Sequence, residues 1–229
     1  MQYVYLAIII VLIIYVYYLN TPTGKGRTLE NKINNTNKKL AERLGGLEFR
    51  DLMFKDDFSS SQIDNLLLTT KGLYVMEAKN YNGHIFGSEH QEKWTMTVKH
   101  TNTKRARSGR TYKTTHISKH SFYNPLKQNQ THINKIVKLM EIHQNIPIYN
   151  IVVFGQNAVL RDVSHSSNVF VIKSNQISRT IIELEQRAER EINHEIMMDF
   201  VDMLIFHNIE DKKMRKQHVQ HIKSKYQKK

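Results

Sequence analysis

The sequence predicts an α/β domain, a mixed β-sheet flanked by helices, preceded by one N-terminal transmembrane helix. Three observations predict it. Apolar runs of helical and of strand period follow one another as helix, strands around a hairpin, helix, strand, strand, helices, an order that suits a mixed sheet covered by helices. Residues 3–19 carry no charge and are nearly all aliphatic or tyrosine. A short hairpin around Thr70-Lys71 collects acidic and basic side chains on one face.

Composition narrows the function classes. A chain of 229 residues suits one domain with appendages. The formal charge of +13 and a pI near 9.7 call for a polyanionic partner, either nucleic acid or an anionic membrane face. With no cysteine, disulfides, thiolate zinc sites and cysteine nucleophiles are excluded.

Taken in order, Tyr3 to Leu19 opens the chain as an anchor. At about 1.5 Å per residue, residues 1–20 reach roughly 30 Å, the thickness of a hydrocarbon core. Tyrosines at 3, 5, 15, 17 and 18 sit at both ends, as interfacial residues do. No basic residue precedes the run and no small-x-small cleavage site follows it, so a retained single-pass anchor fits better than a signal peptide. Lys25 and Arg27 then place the domain in the cytoplasm, at the cell membrane. Residues 21–27 read as a polar linker. A helix is expected from Thr28 as N-cap, with Leu29, Ile33, Leu40 and Leu44 on one stripe and Gly45-Gly46 ending it. Glu30 falls in its first turn, where a carboxylate favours the helix dipole. Leu47 to Phe54 reads as a strand and residues 55–61 as a loop.

The hairpin comes next. Two apolar, β-branched runs flank Thr69-Thr70-Lys71-Gly72, and a turn symmetric about Thr70-Lys71 sets Asp64 opposite Glu77 and Gln62 opposite Lys79. Alternation then puts all four on one face. Carboxylates about 5 Å apart repel unless one is protonated or a cation lies between them, so the face reads as a metal site beside a lysine. A half-solvated polar face is the alternative, and a slip of one residue at Gly72 would separate the pair.

Downstream, Lys93 to Val98 alternates as a strand, with Trp94 as a packing residue. From Lys99 to His120 the chain carries Lys99, Lys104, Arg105, Arg107, Arg110, Lys113 and Lys119 without an acid, and Ser108-Gly109 reads as the tip of a flexible hairpin or loop. These cations suit nucleic-acid phosphates, lipid headgroups or plain solvation. His100, His116 and His120 lack ligand partners there. Asn124-Pro125 opens a helix as cap and N1, with Leu126, Ile133, Ile136, Val137 and Met140 buried and Gln128 and His132 sharing another face. Tyr149 to Phe154 and Asn168 to Lys173 read as strands. A helical pattern runs from Gln176 to about His207, and the tail beyond Ile209 is basic.

Gln62-Ile63-Asp64, then Lys71 through Tyr81, then Gly83, Ile85-Phe86-Gly87-Ser88 and Trp94, and finally Asn124-Pro125 with Gln128 and His132, closely resemble the nuclease-related domain (NERD) family. The resemblance runs from about Lys25 to Phe154, or as far as Lys173, within a domain expected over 28–175, followed by C-terminal helices over 176–208 and a tail over 209–229. It implies a restriction-endonuclease-like fold of the PD-(D/E)xK nuclease superfamily. It implies too that Asp64 and Glu77 bind Mg²⁺ or Mn²⁺, that Lys79 orients or activates the attacking water, and that Glu30 is the family's first-helix glutamate. Leu29 stands where the family usually has glycine, and Asn65 where it often has histidine. Gln62, Asn124, Gln128 and His132 are then candidates for positioning substrate. The function expected is metal-dependent phosphodiester hydrolysis by a membrane-anchored protein, on DNA before RNA. The alternatives are a non-catalytic nucleic-acid-binding or scaffold module that keeps the fold, and a protein-recruiting membrane module.

Overall fold

The computed structural model describes residues 2–55, 60–105, 109–139, 146–166 and 169–211. Its first helix, α1, spans Gln2–Asn20 and its second, α2, spans Pro22–Leu44. The expected linker is therefore the start of α2. Thr21 is the N-cap, its hydroxyl accepting from the Gly24 N–H at 3.1 Å, and Pro22 sits at N1, where a missing N–H costs nothing. That signal outweighs Gly24 and Gly26. Thr28 is interior, its hydroxyl donating to the Gly24 carbonyl at 2.8 Å. The helix ends as expected on left-handed Gly45, with φ of 65°. Among the described residues no single helix is long and apolar enough to cross a membrane. Val4–Leu19 and Thr23–Leu44 reach that length and composition only together, across a bend of 80°.

Nine strands and three further helices follow among the described residues. They are β1 (Leu47–Lys55), β2 (Ser60–Thr69), β3 (Gly72–Lys79), β4 (Gly83–Ser88), β5 (Lys93–Arg105), β6 (Thr111–Tyr123), α3 (Pro125–Leu139), β7 (Ile148–Phe154), β8 (Ala158–Ser164), β9 (Val169–Lys173), α4 (Ile177–Arg187) and α5 (His194–His207). They form two mixed sheets where the sequence suggested one. The larger has the order β1-β2-β3-β7-β9, antiparallel across β1, β2 and β3 and parallel from β3 through β7 to β9. The smaller has the order β6-β5-β4-β8, and β8 joins β4 in parallel. Of the hairpin and the loop expected around Ser108-Gly109, the hairpin is what forms: its strands pair from Lys93↔Tyr123 to Arg105↔Thr111, with residues 106–108 outside the described ones. Threonines recurring along both strands favour this extended pairing.

The larger sheet is covered on both faces. Leu66, Leu68, Leu73 and Val75 pack against Ile133 and Ile136 of α3 and Met197, Phe200 and Leu204 of α5. Leu67, Tyr74, Met76, Ile151 and Val153 pack on the other side against Leu29, Ile33 and Leu40 of α2 and Ile177, Ile181 and Leu184 of α4. Burying each such side chain contributes about 1.5–3 kcal/mol. This arrangement also explains why the expected helix over 176–207 breaks between α4 and α5. The two helices lie on opposite faces of the sheet, so the chain must pass around its edge, where the Ile192 N–H meets the Thr70 carbonyl. Val137 proves exposed rather than buried, and Met140 lies outside the described residues, as does the basic tail from 212 onward. Trp94 is fully buried and stacks on Phe154 with ring centroids 6.3 Å apart, a packing role. Gly87 makes room for it, since a Cβ there would lie 2.3 Å from the indole.

Candidate active site

The β2–β3 register holds without a slip. Pairs run from Thr69↔Gly72 to Asn65↔Met76, the last rung, and Asp64 and Glu77 are the next residue of each strand beyond it. Gly72 is needed at the turn because a Cβ would lie 2.7 Å from the Tyr149 ring. On its other edge β3 pairs with β7, Glu77 with Val152 and Lys79 with Phe154, so these polar side chains sit on an interior strand. Glu77 is only 3% exposed.

Glu77 is held from two sides. Lys79 Nζ donates to its Oε1 at 2.6 Å and to Gln128 Oε1 at 3.0 Å. His132 Nε2 lies 3.5 Å from Glu77 Oε2, a charge contact when the ring is protonated, while His132 Nδ1 meets the Ser61 hydroxyl at 2.5 Å. Gln128 and His132, one turn apart on α3, thus meet the Lys79–Glu77 pair, Gln128 at the ammonium and His132 at the carboxylate. Burial would push the Glu77 carboxyl up, but Lys79 and His132 overcome it and hold the group below the usual carboxylate range. Lys79 answers in kind. Burial disfavours its charge, yet Glu77 outweighs burial and raises its pKa.

Asp64 has less support. Its Oδ2 accepts from the Ala78 N–H at 3.3 Å, and burial, then Glu77, then Glu30 drive its pKa well above the ordinary value against Lys79. Glu30 therefore belongs to this cluster. It lies beyond the first turn of α2, because the helix starts at Pro22, and the dipole explanation lapses. Its carboxyl is raised by burial, opposed by Arg27, and raised further by Glu77 and Asp51.

Two candidates have other work. Asn124 is fully buried. Its amide donates to the carbonyls of Ser88, Glu89 and Gln91, and its oxygen caps α3 at the Leu126 and Lys127 N–H groups. No hydrogen-bonding capacity is left over for a substrate. The Gln62 amide donates to Asp51 Oδ1 at 2.7 Å, which makes it a brace rather than a free substrate contact.

Asp51 is the residue that sequence reasoning missed. It sits in β1 between the pairs Arg50↔Asn65 and Leu52↔Ile63, where it would face Asp64, but the ladder skips that pair. Asp51 takes φ of 51°, the only positive-φ non-glycine among the described residues. Such strain costs about 1–3 kcal/mol and gathers at functional sites. An acid in mid-strand, opposite a proposed metal-binding aspartate, was the available signal.

The basic candidates lie elsewhere. Lys99, Lys104, Arg105, Arg110 and Lys113 are exposed on the β5–β6 ribbon, and Arg107 lies outside the described residues. Lys99, Arg105 and Lys113 share one face with Lys119, whereas His100, His116 and His120 share the other with Ser118.

Among the described residues no three His, Asp or Glu side chains are gathered closely enough to hold a metal ion by themselves. The donors are hard oxygens nonetheless, and the carboxyls of Asp64 and Glu30 are raised first by burial and then by Glu77, a cost to their charged forms that a cation would offset. Such a donor set fits Mg²⁺, which keeps several waters and takes one or two carboxylates.

The model of the nuclease-related domain family matches residues 25–155. An uncharacterized protein of Bacillus anthracis is 26% identical over 210 residues, covering 91% of this chain and 89% of its own length. No solved structure matches. A match over more than half of the chain, spanning Glu30, Asp64, Glu77 and Lys79, settles the family: the chain belongs to the nuclease-related domain family, within the PD-(D/E)xK superfamily.

Proposed function

We propose that this protein is a membrane-anchored nuclease that hydrolyses phosphodiester bonds, of DNA in preference to RNA, with Mg²⁺ or Mn²⁺. The observation that carries the reading is the gathering of Asp64, Glu77 and Glu30 beside Lys79, where burial first and neighbouring carboxylates second disfavour the charged forms of Asp64 and Glu30. Asp64 and Glu77 would hold the cation, with Glu30 at its edge. A divalent ion there would supply positive charge against the phosphate and acidify a water.

The chain's own residues divide the remaining work. Lys79, kept protonated by Glu77, is a cation at neutral pH rather than a proton acceptor. Its role is to hold the scissile phosphate and offset the charge that develops as water oxygen bonds to phosphorus and the ester oxygen departs. Gln128 keeps the ammonium aimed, and Ser61 fixes the His132 ring against Glu77. The exposed cations of the ribbon would neutralise phosphates of the bound strand without reading its sequence. Apolar α1, whose side chains from Val4 to Tyr17 are exposed, supports the anchor, and Lys25 and Arg27 beside it support a cytoplasmic domain at the cell membrane.

One observation favours a non-catalytic binding or scaffold module instead. Glu77 Oε1 already accepts from Lys79, and its Oε2 lies 3.5 Å from His132 Nε2. The deciding experiment incubates the full chain in detergent with plasmid, single-stranded DNA and RNA, in Mg²⁺, Mn²⁺ or EDTA, beside Asp64→Ala and Lys79→Ala. Thermal melts accompany the assay, because removing Lys79 strands the buried Glu77 charge and costs about 3–5 kcal/mol. Metal-dependent cleavage lost in both folded variants is the expected result. Binding without cleavage in any metal selects the scaffold reading.

A further inference from the structure

The outer face of α2 is the least explained surface of the molecule. Its inner face packs Leu29, Ile33, Leu40 and Ala41 on the larger sheet. Its exposed residues include Arg27, Lys32, Lys38, Lys39 and Arg43, against Glu42 as the exposed acid of the helix. The groove between this face and the start of α4 has a volume of about 580 Å³ and is lined by Lys32, Lys39 and Arg43 with Asn31, Asn35 and Ser178. It is cationic and open.

The geometry of the bend says what covers this face. α1 leaves α2 at 80°, so a helix standing across a bilayer would be followed by one lying nearly in the membrane plane. The side on which α1 departs is also fixed. Gly24 is pressed against the end of α1, where a Cβ would meet the Tyr18 carbonyl, and Arg27 Nη1 donates to the Tyr18 hydroxyl at 3.3 Å. Arg27, Asn31, Asn35, Lys38 and Glu42 continue that line at helical spacing, and all are exposed. The face that looks toward the body of α1 therefore carries Arg27 and Lys38 against Glu42, with Lys32, Lys39 and Arg43 beside it.

We propose that α2 is an interfacial helix that lies along the headgroup layer of an anionic bilayer. Its Arg27–Asn31–Asn35–Lys38 line faces the lipid phosphates, and Lys32, Lys39 and Arg43 form a headgroup seat in the groove. This rests on the reading of α1 as a membrane anchor. Its 23 residues span roughly 34 Å of surface. Amphipathic helices bind such surfaces through charge on the polar side, and each basic residue near the lipid adds to the attraction. Here the apolar side is spent on the sheet, so the contact is electrostatic and polar. Nucleic acid is the competing polyanion, but continuity with an exposed apolar helix at a right-angled bend favours lipid.

A chain with no cysteine makes the test direct. The full chain carrying Asn35→Cys, or Asp202→Cys on α5 across the sheet, is spin-labelled and reconstituted into phosphatidylglycerol–phosphatidylcholine vesicles doped with a nickel-chelating lipid. The expected result is several-fold stronger nickel relaxation at Asn35→Cys than at Asp202→Cys, falling toward the control in pure phosphatidylcholine and in a Lys32→Gln, Lys38→Gln, Lys39→Gln variant. If the chain does not float with vesicles, the anchor reading fails and the proposal with it. Flotation with equal relaxation at both positions overturns the proposal alone. A label immobilised by duplex DNA yet indifferent to lipid makes this face a nucleic-acid track and also overturns it.

Discussion

Asp64 ends in a carboxyl that burial, Glu77 and Glu30 all push toward protonation, with Lys79 and the Ala78 N–H opposing them. The sign of the consequence follows from linkage. A carboxyl whose folded pKa lies above its unfolded value costs nothing at low pH, and the fold loses stability as pH rises through the folded pKa. Asp64→Asn should therefore raise the melting temperature in EDTA at pH about 7, with the gain vanishing near pH about 3, below the ordinary aspartate value. Each kcal/mol recovered would appear as about 2–4 °C. Mg²⁺ should stabilise the wild type at neutral pH and leave the variant nearly unmoved; equal Mg²⁺ shifts in both would show that Asp64 does not contact the ion. That Glu77 shares a face with Lys79, and Gln128 with His132, was legible in the sequence, because strand period two and helix spacing of four fix directions without tertiary knowledge; that the two faces meet was not. Asp51 was not, since one left-handed residue inside a strand leaves no period to detect. Asn124 and Gln62 misled for a related reason. Spacing shows where a side chain can point but not whether a backbone carbonyl or a neighbouring carboxylate has already claimed it.

At the scale of elements, the β2–β3 hairpin is pinned at its turn by α4. Glu185, 8% exposed, accepts from Thr69 Oγ1 at 2.6 Å and from the Tyr74 hydroxyl at 2.5 Å. Tyr74 in turn stacks on Tyr149 with centroids 4.9 Å apart, which ties the turn to β7. The hairpin carries Asp64 and Glu77 at its far end, so a loosened turn loosens the site. Glu185→Ala leaves two buried hydroxyls without their charged acceptor and should cost about 2–4 kcal/mol by urea denaturation. Tyr74→Phe, which removes one donor, should cost less. A loss below about 0.5 kcal/mol for Glu185→Ala, the range of an ordinary surface change, would mean that α4 does not restrain the hairpin. Elements with strong signals emerged near their expected bounds, among them β3, α3 and β7. The start of α2 did not, because Thr21-Pro22 is a better cap than Thr28 and the intervening glycines were weighed as a linker. β8 was missed altogether. Its burial depends on pairing with β4, a partner more than seventy residues away along the chain.

For the whole molecule, the question is where a surplus of thirteen positive charges is spent. Two groups of the described cations stand out, on the outer face of α2 and on the β5–β6 ribbon, two surfaces of different character. α2 is continuous with the sheet-packed core, whereas the outer ribbon pairs mainly with itself: residues 99–105 and 111–113 are exposed on both strands. A two-stranded ribbon alone is marginally stable in water, so its persistence away from the core points to a partner that covers it. The register makes it separable. Val98 pairs with Ser118, and replacing residues 99–117 by an Asn-Gly turn closes a two-residue hairpin at that rung. The shortened chain should melt within about 2 °C of the parent, since no buried apolar residue is removed. Its affinity for a generic DNA duplex should fall, and the slope of log K against log salt should shrink by about 0.9 for each phosphate that the chain no longer neutralises. Deletion takes away Lys99, Lys104, Arg105, Arg110 and Lys113 among the described residues, so a marked flattening of the slope is available. Cleavage of short oligonucleotides at saturating concentration should persist, because Glu30, Asp64, Glu77 and Lys79 stand on α2 and the β2–β3 hairpin. An unchanged salt slope would remove the ribbon from nucleic-acid binding and leave the α2 face or the tail to account for the charge.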